Sequence, residues 1–221
     1  RDRHKQLELA FRPWGGRRKG AGAKRKSERR KVSHRTRCAL KARHPLHVTM
    51  RVRGGLPSLR RPLPESAIWS SLAAVNRRGD FRVVEYSVQS NHLHLIVEAE
   101  GRTSLSRGMQ ALSIRIAKRL NALWQRTGAL FADRYHDRVL KTPREVRNAL
   151  SYVLNNALHH GVHYREAVMD GYSSARSFNG FSDAEPLSDR ATNGAASRAR
   201  TWLLDVGWQR AGGLISLFRV P

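Results

Sequence analysis

The sequence predicts an α+β fold: a ferredoxin-like antiparallel sheet with helices on one face, preceded by a basic N-terminal arm and followed by a C-terminal extension. Three observations lead there. Residues 47–52, 81–88, 92–98 and 135–140 read as strands; helical periodicity falls between them; and the order strand, helix, strand, strand, helix, strand, helix is the ferredoxin-like pattern with one helix added. The expected divisions are a basic arm over 1–37, a folded domain over 38–172 and a linker with extension over 173–221.

In the first strand His47, Thr49 and Arg51 alternate with Val48, Met50 and Val52, and Gly54, Gly55 and Pro57 end it. Residues 65–78 form an amphipathic helix with Ile68, Leu72 and Val75 on one side, stopped by Gly79-Asp80. The strand at 81–88 turns through Gln89-Ser90-Asn91, short enough for a hairpin, into an antiparallel strand at 92–98. From Leu105 to Trp124 apolar residues recur at helical spacing (Leu105, Met109, Leu112, Ile116, Leu120, Leu123), with Arg115, Lys118 and Arg119 on a basic face. After the strand at 135–140, Thr142-Pro143-Arg144-Glu145 is a capping box that opens a helix expected to run to His160, before Gly161. Residues 173–199, rich in Ser, Ala, Gly and Asp, read as a linker, and residues 201–206 with Trp208 as a short docked helix.

Forty-two Lys and Arg against seventeen Asp and Glu give a net charge of +25, which points to a polyanionic partner, most often nucleic acid. Residues 1–37 hold fifteen of these cations and three acids, +12 of the total, among glycines that prevent a core. This stretch reads as an arm that orders on a phosphate backbone, with Arg17, Arg18, Lys19, Lys24, Arg25 and Lys26 as nucleic-acid contacts. Arg115, Lys118 and Arg119 are further candidates, equally consistent with a solvated helix face. A single cysteine, Cys38, excludes a disulfide framework and cysteine-based zinc modules. No apolar stretch approaches the length of a membrane span, so a soluble, cytoplasmic protein is expected, associated with nucleic acid in view of its charge, as a monomer or homodimer.

On a strand, residues i and i+2 share a face, so His92 and His94 project together while Leu93, Leu95 and Val97 enter the core. Two adjacent imidazoles make half of a divalent-metal site. On the last helix Tyr152 and Asn156 are one turn apart on a polar flank. If that helix crosses the sheet near the histidines, Asn156 adds an amide oxygen and the Tyr152 phenol stands beside the ion. A tyrosine is a weak nucleophile at neutral pH and needs a Lewis acid to attack a phosphodiester.

The runs from Asn91 through His92-Leu93-His94 to Val97, and from Tyr152 through Asn155-Asn156 to Gly161, resemble the REP-associated tyrosine transposases. These are a branch of the single-tyrosine transposases in the HUH endonuclease superfamily. The likeness extends to His47-Val48-Thr49, to residues 128–135 and to Tyr172-Ser173-Ser174, and covers roughly residues 44–180. It implies His92, His94 and Asn156 as ligands of a divalent metal, Mg2+ or Mn2+, and Tyr152 as a nucleophile that forms a 5′-phosphotyrosine on single-stranded DNA hairpins. Two positions depart from the group's usual pattern: Gln89-Ser90 stands where it has Met-Pro, and Ala157 where it has Pro. A non-catalytic hairpin-binding protein on the same fold is the alternative, and the intact set of four residues weighs against it. An RNA-binding sheet is disfavoured because the strands lack paired aromatics for stacking bases.

Deleting residues 1–37 is expected to weaken DNA binding and flatten its salt dependence, by about 0.7 in the log–log slope for every phosphate of a single strand that the arm no longer neutralises. Cleavage at saturating DNA should survive. A full slope in the truncated protein would assign the electrostatics to the basic face of Arg115, Lys118 and Arg119.

Overall fold

The computed structural model of the chain describes residues 39–156, 169–189 and 194–218. The chain divides into Arg1–Lys31 and Val32–Pro221, and all described residues lie in the second unit. The basic arm expected over 1–37 therefore falls outside the described residues.

Four strands, β1 (Leu46–Arg51), β2 (Phe81–Val88), β3 (His92–Ala99) and β4 (His136–Val139), form one sheet in the order β2-β3-β1-β4, antiparallel at every junction. This is the expected ferredoxin-like arrangement. Helices α1 (Pro62–Asn76) and α2 (Arg102–Leu123) cross over one face and α3 (Pro143–Leu154) follows β4. Each boundary has a local cause. Pro62 sits in the first turn of α1, where a missing N–H leaves no bond unmade. Thr142 accepts from the Glu145 N–H while the Glu145 carboxylate accepts from the Thr142 N–H, the capping box read from the sequence.

Side-chain alternation sorts the sheet into two faces. Leu46, Val48 and Met50 of β1, Leu93, Leu95 and Val97 of β3, and Phe81, Val83, Tyr86 and Val88 of β2 share one core with Ile68, Leu72 and Val75 of α1 and with Leu105, Met109, Leu112, Ile116 and Leu120 of α2. The register of β2 shifts between Val83 and Glu85, a bulge that lets Val83 and Tyr86 both reach this core. Leu123, expected in the apolar stripe of α2, lies at its exposed end.

A second core occupies the opposite face, where Val84 and Ile96 meet Val146, Leu150, Val153 and Leu154 of α3 and Phe178, Phe181, Leu204 and Trp208 of the C-terminal residues. The placement of helices on one face thus holds for α1 and α2, and the added helix α3 covers the other. Residues 173–199 are not a free linker. Ser173 bridges to Ser87, the Val88 N–H donates to the Tyr172 carbonyl, and Ser174 is fully buried with its hydroxyl on Glu85. Small side chains, which suggested a loop, are what allow the chain to lie against the edge of β2. A short helix α4 (Trp202–Asp205) and a 3-10 turn over Gly207–Ala211 complete this layer. α3 ends at Leu154 with Asn155 as its C-cap, short of the expected His160, so Asn156 lies just past it; residues 157–160 and Gly161 lie outside the described residues.

Gly108 marks the tightest approach between α2 and the sheet: a β-carbon there would stand 2.2 Å from Cγ of Phe81, a fully buried ring. Gly108→Ala is expected to destabilise the domain by about 2 kcal/mol in urea denaturation, because the overlap outweighs the roughly 1 kcal/mol gained in helix propensity. Adding Phe81→Leu should recover part of the loss.

Candidate active site

The pairing of β1 with both β3 and β4 arranges the second face as rows of side chains. Thr49 lies opposite His94 and His136, His47 opposite Ile96 and Arg138, and Arg51 opposite His92. These residues leave the sheet on the side of α3. His92 and His94 therefore share a face, as the period of two requires. His94 is buried and His92 half-buried.

The two imidazoles meet through Nε2 atoms 3.0 Å apart. Lone pairs that close repel, so something positive lies between them: a proton on one ring, or a cation shared by both. The rest of each ring is prepared for the second arrangement. His92 Nδ1 lies 2.8 Å from the Asn91 amide oxygen, to which it donates, leaving Nε2 with its lone pair. His94 Nδ1 lies 3.1 Å from His47 Nε2 and 3.3 Å from Thr49 Oγ1, two groups able to accept its proton. Burial, helped by the nearby charges of His136 and Arg138, lowers the His47 pKa to about 4, so His47 is neutral at pH 7. An edge of 3.0 Å is also what two imidazoles span when each stands about 2.1 Å from one ion at a right angle.

Tyr152 reaches this point because α3 buries Val146, Ala149, Leu150, Val153 and Leu154 against the sheet and turns its flank toward β1 and β3. Its ring stands edge-on to His94 at 5.2 Å between centroids, and 5.9 Å from His47. The condition set by the sequence, that this helix pass over the histidines, is met for Tyr152. Asn156 is fully buried, and neither its amide oxygen nor its nitrogen has a hydrogen-bond partner. No hydrogen bond ties it to either imidazole. Such an amide costs about 1–3 kcal/mol when left unsatisfied, which a ligand would offset. Among the described residues no group of three His, Cys, Asp or Glu side chains is placed to hold a metal ion. A third protein ligand, were an ion held by the two imidazoles, would be of another type, and the orphaned amide of Asn156, four residues past Tyr152, is a candidate.

Residues 44–156, just over half of the chain, match the family model described as "Transposase IS200 like". The chain belongs to the IS200-like transposase family. The matched span begins just before β1 and ends on Asn156, so it contains His47, Thr49, His92, His94 and Tyr152. The fold is also similar to that of a solved REP-associated tyrosine transposase bound to a REP hairpin, with a TM-score of 0.52 at 16% identity over 65% of this chain and 82% of that one. No curated protein sequence matches the chain.

Within this transposase the remaining sequence-predicted contacts lie apart from the imidazoles. Arg115, Lys118 and Arg119 are exposed on α2, whose helix packs on the other face of the sheet. Arg17, Arg18, Lys19, Lys24, Arg25 and Lys26 lie outside the described residues. Three residues at the site, His47, Thr49 and Asn91, enter the sequence reading only as parts of a strand or turn and within the family likeness, and are given no functional role there. His47 and Thr49 carry a signal, polar positions alternating with a buried Val and Met, but only the adjacency of β1 and β3 places them on His94. No helix among the described residues is long and apolar enough to cross a membrane.

Proposed function

We propose that this transposase is a metal-dependent single-stranded DNA endonuclease that nicks and rejoins hairpins of the REP-like palindrome type through a 5′-phosphotyrosine on Tyr152. The observation that carries the reading is the Tyr152 ring set edge-on against His94, where the Nε2 atoms of His92 and His94 converge. Hairpin DNA as the substrate is supported by the hairpin bound to the similar solved transposase and by the net charge of +25.

His92, His94 and Asn156 would hold the divalent cation, which would supply Lewis acidity toward the phosphodiester. His47 and Thr49 fix the His94 ring by accepting a hydrogen bond from its Nδ1, and the Asn91 amide oxygen does the same for His92. Tyr152 is carried on a helix capped at its start and packed along its length, so the phenol is held in place for an in-line approach. Its oxygen attacks phosphorus and the bond from phosphorus to the 3′ oxygen breaks. The phenol proton is given up, the departing 3′ oxygen takes one, and the phosphate remains joined to the 5′ carbon. No water or nucleotide is consumed. A 3′ hydroxyl from another end reverses the step and frees the tyrosine.

Tyr152→Phe is expected to abolish the denaturant-resistant protein–DNA adduct formed with labelled hairpins and manganese, while hairpin affinity changes by less than about threefold. Adduct formation by the Phe variant would overturn the assignment. Calorimetric titration with manganese should show binding lost in the His92→Ala, His94→Ala double variant and weakened about 10–100-fold in His47→Ala, in keeping with a residue that orients a ligand. An unchanged affinity in the double variant would place the ion elsewhere.

A further inference from the structure

The apolar stripe of α3 covers only half of the sheet face that carries the histidines. Its partners there are Val84 of β2 and Ile96 of β3, and no residue of β1 or β4 except Leu140, just past the end of β4, belongs to that core. The β1–β4 half is polar: His47 and Thr49 are half-buried, and Arg51, His136 and Arg138 are exposed. Arg138 lies 3.4 Å from Glu145. The backbone carbonyl of Arg51 accepts from the Ala132 N–H, and its guanidinium makes no hydrogen bond or ion pair with any described residue. His136, opposite Thr49, stands beside it on β4.

Edge strands often carry charge to discourage pairing with other chains, which accounts for His136 and Arg138 on β4. It does not account for Arg51. β1 lies between β3 and β4, so its edges are already paired. Arg51 is directly opposite His92, and cross-strand side chains on one face start about 5 Å apart, well within the reach of an arginine. The groups set against the two imidazoles, His47, Thr49, Tyr152 and Asn91, are uncharged, and Arg138, the other guanidinium near His47, is paired with Glu145. A phosphodiester brings one negative charge and gains more during in-line attack, and a planar guanidinium matches two phosphate oxygens at once.

We propose that Arg51 is the residue that grips the phosphate presented to Tyr152, and that the DNA strand enters over the open half of the sheet, past His136. This rests on the reading of the site as one that cleaves single-stranded DNA. It adds a group that positions the reacting linkage from the β1–β4 half of the face, which α3 leaves uncovered.

The test is a binding cycle in full-length protein carrying Tyr152→Phe throughout, so that binding is read whether or not that tyrosine is the nucleophile. Hairpin oligonucleotides with single-stranded flanks carry one neutral methylphosphonate, moved linkage by linkage. Arg51→Ala should weaken binding of the all-phosphate strand roughly tenfold and lower the salt slope by about 0.7, the amount that one phosphate accounts for. With the methylphosphonate at one linkage, the one cut by the wild-type protein, Arg51→Ala should make no further difference; Arg51→Lys should keep part of the affinity. Arg51 is exposed, so thermal unfolding should be unchanged. The proposal is overturned if Arg51→Ala binds as well as its parent, or if its weakening persists wherever the neutral linkage is placed. A wild-type protein that forms no adduct would instead sink the tyrosine reading, leaving the binding cycle intact as a measure of Arg51.

Discussion

The antiparallel pairing of β1 with β3 sets Thr49 opposite His94 and Arg51 opposite His92, and everything on the reactive face follows from that register. Side chains alternate across a sheet with a period of two, so a slip of one residue would turn His47, Thr49 and Arg51 into the core with α1 and α2 and bring Val48 and Met50 out. The buried row Leu46, Val48 and Met50 makes such a slip prohibitive. Stability on one face thereby enforces geometry on the other. The hydrogen bonds from His94 to His47 and Thr49 are a consequence of this arrangement rather than its cause.

Tyr152 depends on a second constraint, the C-terminal residues that complete the core beneath α3. Arg147 donates to the carbonyls of Gly212, Gly213 and Leu214, and the Asn155 amide donates to the Ser216 carbonyl, so both ends of α3 are held by the same stretch. That stretch is in turn fixed to the sheet. Glu98, buried on β3, accepts from the Arg82 guanidinium and from the N–H groups of Arg200 and Thr201, and Asp170 pairs through both oxygens with Arg60. Truncating one member of such a buried pair typically costs about 3–5 kcal/mol. The extension is therefore part of the support of the tyrosine, which explains why its small residues lie packed against β2.

The reactive face is built against stability. Asn156 is buried with an unsatisfied amide, His47 is half-buried in its neutral form, and two imidazole nitrogens stand 3.0 Å apart. A core made for packing alone would have apolar residues in these places. His47 and His94 stand against the Tyr152 ring, and Asn156 follows that tyrosine by four residues, which is what supports the proposed chemical role of this face.

From the sequence by itself came the strands, the two-residue spacing of His92 and His94, the capped helix carrying Tyr152 and Asn156, and the family likeness. These are local: a period of two, a turn of helix and a capping box are each written within a few residues. Tertiary structure decided what lies between elements distant in the chain. That His47 and Thr49 hold His94, that α3 takes the face opposite α1 and α2, that Tyr172, Ser173 and Ser197 bond to the edge strand β2, and that Arg51 stands beside His92 depend on strand order and on which surfaces find partners. Periodicity reports which side of an element is apolar, and says nothing of which other element will cover it.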